Sequence, residues 1–122
     1  MAGEKILVIE DSPSMLEMIK DALRDEGYES WTASDGFQAL RDLEEIDPDL
    51  IITDINMPKV DGLEFCEAIR GRLETRDIPF IFLSAVTDEN TVQKGRKIGA
   101  EYFIAKPFKK EDLINTVKRV LE

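Results

Sequence analysis

The chain has 122 residues, 43% hydrophobic and 34% charged, and its 26 acidic against 16 basic side chains give a formal net charge of −10 without any histidine. This length predicts one domain over residues 1–122, with enough apolar residues for a single core. The acidic balance disfavours binding to nucleic acid or anionic lipid, and the absence of imidazole excludes Ser-His-Asp triads and His-based zinc sites.

The charge is unevenly distributed along the chain. Residues 1–61 carry a net charge of −11, whereas residues 62–122 carry +1. No apolar run approaches the roughly 20 residues of a membrane-spanning helix, and the amino terminus lacks the pattern of a signal peptide. The single cysteine, Cys66, cannot form an intrachain disulfide, which favours a reducing compartment. We therefore expect a soluble, cytoplasmic protein.

Short apolar runs alternate five times with longer amphipathic stretches, a pattern that predicts repeated βα units around a parallel sheet. The first unit has an apolar strand at residues 5–9. Its helix is predicted to begin at Ser12 and Pro13, a cap and a first-turn proline, and to end at Gly27. The second strand, residues 28–33, is more polar and suits a sheet edge.

The later units follow the same plan. The second helix begins at Asp35-Gly36 and stops before Pro48, and a loop is expected over residues 55–62. The third helix carries Leu63, Cys66 and Ile69 on its apolar side. The remaining predicted strands are residues 50–53, 79–83 and 102–104, and the remaining helices are residues 88–98 and 109–121. The predicted fold class is therefore α/β, with a doubly wound parallel sheet.

Polar residues follow four of these strands. They are Glu10, Asp11, Asp54, Ser84 and Lys106. Because ligands bind at the carboxyl ends of the strands in open parallel sheets, we expect these side chains to converge.

Three converging carboxylates require a compensating cation. Two carboxylates about 5 Å apart repel by about 3 kcal/mol at an effective dielectric constant near 20. Mg²⁺, which prefers carboxylate, carbonyl and water oxygens, and the Lys106 ammonium are the candidate compensating charges. Each residue alone has an ordinary alternative: Glu10 and Asp11 as acids at a helix start, Ser84 as a strand-end hydroxyl, and Lys106 as a solvated lysine.

Asp54 lies between a buried strand and a turn, where an ordinary turn-forming aspartate is the alternative. A carboxylate on such a rigid edge is also placed to attack phosphorus and form an acyl phosphate. The metal and the ammonium would then neutralise the phosphoryl oxygens.

The ordered set of strand-end motifs resembles the receiver domain of bacterial two-component response regulators, of the chemotaxis-regulator type. The motifs are Glu10-Asp11, Asp54 with Met57-Pro58 and Gly62, Ser84-Ala85, and Lys106-Pro107-Phe108. The resemblance spans almost the whole chain. It implies a flavodoxin-like fold of five strands, in the order 2-1-3-4-5, and five helices.

The resemblance also implies the chemistry of the site. Asp54 would accept a phosphoryl group from a phosphohistidine of a sensor histidine kinase or a phosphotransfer protein. Asp11 would bind Mg²⁺ directly and Glu10 through water, with the backbone carbonyl of Asn56 as a further ligand. The protein would be a phosphorelay switch that assists its own phosphorylation and slow dephosphorylation, not an enzyme acting on a separate substrate.

The remaining implied roles concern the output. Ser84 and Lys106 would each bind a phosphoryl oxygen, and Phe103 would change rotamer when Ser84 moves. The fourth helix, fifth strand and fifth helix would present the altered face to a protein target or linked effector. Seven basic residues in these two helices suit an acidic partner or a phosphorylation-dependent homodimer, although a solvated helix face is an equal alternative: Lys94, Arg96, Lys97, Lys109, Lys110, Lys118 and Arg119.

Three other functions are compatible with parts of the pattern. An aspartyl-nucleophile phosphohydrolase of the haloacid dehalogenase type would need an acid at position 56, where this chain has Asn56. A flavodoxin-like nucleotide carrier would have its phosphate repelled by Glu10 and Asp11. A receiver-like interaction module that is never phosphorylated is the closest alternative. The chain is expected to be either a stand-alone regulator or the excised receiver of a longer protein.

Overall fold

The computed structural model describes residues 3–55, 62–84, 89–98 and 102–122. Strands and helices alternate through these ranges in the order β1 (Lys5–Ile9), α1 (Pro13–Asp25), β2 (Glu29–Ala33), α2 (Gly36–Ile46), β3 (Leu50–Asp54), α3 (Gly62–Arg70), β4 (Phe80–Ser84), α4 (Glu89–Ile98), β5 (Tyr102–Ala105) and α5 (Lys110–Leu121). Within the described residues, the helices are too short or too polar to cross a bilayer.

The five strands form one parallel sheet in the order β2-β1-β3-β4-β5. This confirms the predicted doubly wound α/β fold, including β2 as the polar edge strand. Several observed strand ends differ by one residue from the predicted ones. β2 begins at Glu29, β4 spans Phe80–Ser84 and β5 extends to Ala105. The predicted loop over residues 55–62 falls largely outside the described residues.

Each face of the sheet has its own apolar cluster. Alternate residues of the central strands point to opposite faces, so both faces need helical cover. One cluster packs α1 and α5 against the sheet, and includes Ile19, Leu23, Leu113 and Val117. The other packs α2 and α3 against it, and includes Leu43, Phe65 and Phe82.

Local signals fix the first helix as the sequence predicts. The Ser12 hydroxyl accepts a hydrogen bond from the Met15 amide at 3.5 Å, and Pro13 occupies the first turn. Gly27 has a φ of 86°, a left-handed conformation that glycine adopts at low cost just after a helix. These ends set where the chain leaves β1 and enters β2, and therefore where Glu10 and Asp11 lie.

Backbone hydrogen bonds hold the carboxyl ends of the strands in register. The Glu10 amide donates to the Ala33 carbonyl at 3.1 Å, the Ile55 amide to Leu83 at 3.0 Å, and the Lys106 amide to Ser84 at 2.6 Å. The residues that follow β1, β3 and β5 are thus attached to neighbouring strands. Their side chains project from a rigid edge.

Candidate functional site

The Lys106 ammonium bridges two carboxylates at the carboxyl end of the sheet. Its Nζ donates to Asp54 Oδ2 at 2.6 Å and to Glu10 Oε1 at 3.0 Å. The side chains of Glu10 and Asp54 are 1% and 7% exposed, and that of Lys106 is 19% exposed. Three strands therefore deliver an ammonium and two buried carboxylates to one point, as the sequence predicts.

Burial and pairing act against each other on these groups. Burial raises the pKa of the Glu10 carboxyl, and the neighbouring Asp54 charge raises it further, while hydrogen bonds from the Ser12 amide and from Lys106 offset part of the rise. Burial lowers the pKa of Lys106, but its hydrogen bonds to Asp54 and Glu10 outweigh that effect and raise it. The ammonium is therefore held in its charged form.

Asp11 adds a third carboxylate beside this pair. One carboxylate oxygen from each of Glu10, Asp11 and Asp54 lies within 4.8 Å of the others, and Asp11 is exposed while the other two are buried. Oxygen-only donors with high negative charge and one open side suit a hard divalent cation such as Mg²⁺, which keeps several waters. The residues present therefore fit the metal that the sequence predicts.

The ordinary alternatives for these residues do not match their surroundings. Glu10 and Asp11 precede the helix cap, and the first turn of α1 contains no acidic residue. The Glu10 side chain is instead buried and paired with Lys106, whose own side chain is only 19% exposed. Asp54 is buried at the end of β3, not exposed in a turn.

Two further predicted residues lie on the α3 and α4 side of the same sheet. Ser84 is the last residue of β4 and is buried. Phe103 is two residues before Ala105, which pairs with Ser84 in the register of β4 and β5. Asn56, predicted to offer its carbonyl to the metal, lies outside the described residues, as do Met57, Pro58 and Ala85.

The structure adds a role for Gly62 that its place in the motif did not explain. A Cβ atom on Gly62 would collide with the backbone carbonyl oxygen of Asp54. The Gly62 amide donates to the Ile55 carbonyl at 3.0 Å, which closes the connection from β3 to α3. Glycine is required because α3 begins directly against the backbone of the acceptor candidate.

The seven basic residues in α4, in α5 and at the N-cap of α5 are exposed, but they do not form one face. Lys118 pairs with Glu26 of α1 at 3.1 Å, so it lies on the α1 side of α5. Lys118 is therefore set apart from a basic surface shared by α4 and α5.

The sequence of the chain matches the family model of the response regulator receiver domain over residues 6–118. The chain belongs to this receiver domain family. Receiver domains are phosphoacceptor modules of two-component signalling and act as switches, not as enzymes. The membership confirms the resemblance on which the predicted fold and strand order depend.

Solved structures and curated proteins show the same relationship. The chemotaxis response regulator CheY4 of Vibrio cholerae is 38% identical with a TM-score of 0.93, covering 98% of this chain and 100% of CheY4. The receiver domain of the sensor histidine kinase PA1611 from Pseudomonas aeruginosa is 32% identical with a TM-score of 0.89, covering 98% of each chain, and holds a magnesium ion in its active site cleft.

The curated relatives differ in length. The DNA-binding response regulator MtrA of Mycolicibacterium smegmatis is 36% identical over 94% of this chain and 49% of its own. Protein PilG of Pseudomonas aeruginosa is 34% identical over 95% of this chain and 86% of its own. The chain thus spans about half the length of the MtrA relatives and most of PilG.

Proposed function

We propose that this receiver accepts a phosphoryl group on Asp54, in a reaction that requires Mg²⁺. The observation that carries the proposal is the Lys106 ammonium, which joins Asp54 to Glu10 across three strands at 2.6 and 3.0 Å. A buried carboxylate with a cation beside it and two further acids within 4.8 Å is arranged for phosphoryl chemistry.

The transfer exchanges one bond for another at phosphorus. A carboxylate oxygen of Asp54 bonds to the phosphorus of a phosphohistidine as the P–N bond breaks, and the imidazole nitrogen keeps that electron pair and takes a proton from water. We assign Lys106 to one phosphoryl oxygen and the Ser84 hydroxyl to another. Both contacts stabilise negative charge that the acceptor site must hold.

We assign the metal to Asp11, Asp54 and Glu10, with Asn56 contributing its backbone carbonyl. When bound, Mg²⁺ neutralises charge on the phosphoryl group and on the clustered carboxylates. Glu10 already uses one oxygen for Lys106 and the other for the Ser12 amide, at 3.0 and 3.1 Å. That occupancy supports the assignment of Glu10 to the metal through water.

The proposed consequence is a change in the surface of α4, β5 and α5, with Phe103 as the moving aromatic. The phosphodonor we propose is a sensor histidine kinase or phosphotransfer protein, and the recipient of the signal is a protein target, a linked effector or a second copy of the chain. The cytoplasm is the proposed compartment, consistent with the buried, unpaired Cys66 thiol. We propose the range 1–122 as one receiver domain.

Incubation with acetyl phosphate and Mg²⁺, followed by intact-protein mass spectrometry, tests the proposal. Wild-type protein is expected to gain one phosphoryl group, and the gain is expected to disappear in Asp54→Asn and when EDTA replaces Mg²⁺. Asp25→Asn, which removes an exposed acid at the far end of α1, is the matched control and should be labelled like wild type.

The alternative of a module that is never phosphorylated predicts a different result. It requires unlabelled wild-type protein even though Lys106, Glu10 and Asp54 are assembled. Repeated turnover of a phosphomonoester would instead support the phosphohydrolase alternative. Labelling that persists in Asp54→Asn would move the acceptor to another residue.

A further inference from the structure

Gly95, in α4, lies close to the ring of Phe103. A Cβ atom built on Gly95 would be 2.9 Å from Phe103 Cζ, 3.1 Å from Cε1 and 3.4 Å from Leu63 Cδ2. Carbon atoms in favourable contact are about 3.5 to 4.0 Å apart. A methyl group at position 95 would therefore require the ring to move from its present place.

The ring of Phe103 also contacts a row of aromatic residues. It stacks on Phe82 with a centroid distance of 5.6 Å and an interplanar angle of 25°. Phe82 stacks in turn on Phe80 at 5.7 Å, and both are buried in the α2 and α3 cluster. Phe103 is only partly buried, whereas Phe82 is fully buried.

We propose that Gly95 is the positioning residue of the Phe103 switch, because its missing side chain is the space that the stacked ring occupies. The atoms that an added methyl would meet belong to the far end of a side chain and not to the backbone. The ring is therefore the part that yields. A side chain at position 95 would drive Phe103 outward while leaving the sheet in place.

This inference deepens the proposed function and rests on it for its consequence. If the stacked ring accompanies movement of Ser84 toward the phosphoryl group, a side chain that displaces the ring should weaken binding of the phosphoryl group or of its mimic. Gly95 touches neither Asp54 nor the metal carboxylates in the described structure. Its effect on phosphoryl affinity would pass through Phe103, the residue nearest to the added methyl group.

Gly95→Ala and Gly71→Ala form the matched pair for the test. A Cβ on Gly71 would lie 3.6 Å from the nearest atom, so that substitution adds the same methyl without a clash. In protein with labelled phenylalanine, proton cross-peaks between the rings of Phe103 and Phe82 report stacking before any ligand is added. We expect these cross-peaks to fall at least fivefold in Gly95→Ala and to persist in Gly71→Ala.

The second readout is the dissociation constant of beryllofluoride, an acyl-phosphate mimic, measured with Mg²⁺. We expect it to rise at least fivefold in Gly95→Ala and by less than twofold in Gly71→Ala. In a Phe103→Leu background, Gly95→Ala should change it by less than twofold, because the ring that transmits the effect is gone. A thermal unfolding curve for each variant verifies that it is folded.

Three results would overturn the inference. They are ring cross-peaks that survive in Gly95→Ala, cross-peaks that vanish without a change in beryllofluoride affinity, and an affinity change that persists in the Phe103→Leu background. Failure of the proposed function has a different signature, since wild-type protein would then not bind beryllofluoride at all. The cross-peak measurement would still test the geometry of Gly95 and Phe103.

Discussion

The two ends of the sheet each hold a partly buried cation, and they use it differently. At the carboxyl end, Lys106 joins the carboxylates of Glu10 and Asp54. Near the amino end of β4, Arg70 donates to the carbonyls of Arg76 and Ile78 at 2.9 and 2.7 Å and lies over the Phe80 ring, 5.0 Å from its centroid.

The partners distinguish a site from a scaffold. Arg70 binds neutral carbonyls and a ring, so it secures the connection from α3 to β4. Lys106 compensates two acids that would otherwise repel, and Asp11 nearby adds negative charge that Lys106 does not neutralise. This excess of negative charge at the carboxyl end is the feature on which the proposed binding site rests.

Removal of the cation at the carboxyl end should have the largest effect. In EDTA, Lys106→Met is expected to lower the free energy of unfolding by on the order of 3 kcal/mol, because two buried acids lose their partner. Added Mg²⁺ should restore part of that loss by replacing the positive charge. Chemical denaturation with and without Mg²⁺ measures both effects.

Lys94→Met, at an exposed position on α4, is the matched control and should lose little stability in either condition. An equal loss for Lys106→Met with and without Mg²⁺ would contradict the comparison. It would mean that the carboxylates do not form a metal site once the lysine is gone.

Cys66 in α3 is a buried ionisable group outside the two cation sites. Burial raises the pKa of its thiol from 9.0 to about 11, and the Arg70 charge offsets part of the rise. Above pH 9 the unfolded chain loses this proton before the folded chain does, so stability falls from pH 9 to about pH 11. The expected loss is about 2 kcal/mol by pH 11.

The contribution of the Cys66 thiol to the pH dependence of stability is obtained by comparison with Cys66→Ala. Unfolding free energies of wild type and Cys66→Ala, measured from pH 7 to 11, should converge as the pH rises, because the alanine variant lacks this titration. A constant difference across that range would show that the thiol is not protected by burial.

Replacement of the cation at the amino end should have a smaller effect. Arg70→Lys keeps the charge but loses the planar guanidinium, whose Nη1 donates to both carbonyls and whose carbon lies over the Phe80 ring. We expect a loss of about 1 kcal/mol by chemical denaturation, with the level of acetyl phosphate labelling unchanged. Arg72→Lys, at an exposed position, is the control. Reduced labelling in Arg70→Lys would show that the two ends are not independent.

The sequence predicts the elements and the converging carboxylates because both depend on local pattern. Apolar runs such as residues 50–53 define the strands, and parallel order then brings their carboxyl ends together. Three contacts could not be predicted in this way, because they join residues that are far apart in the chain or on different elements. They are the bridge from Lys106 to Glu10, the hydrogen bonds of Arg70, and the contact of Gly95 with Phe103. An isolated glycine inside a helix, such as Gly95, indicates a packing requirement but not its partner.

The central claim is that Asp54 is the residue phosphorylated beside Lys106 and the metal carboxylates. After reaction with acetyl phosphate and Mg²⁺, borohydride reduction converts an aspartyl phosphate to homoserine, and peptide mass spectrometry then locates it. The account predicts homoserine at position 54, absent when Mg²⁺ is replaced by EDTA. Homoserine at position 11 or another acid, or none at any position, would contradict it.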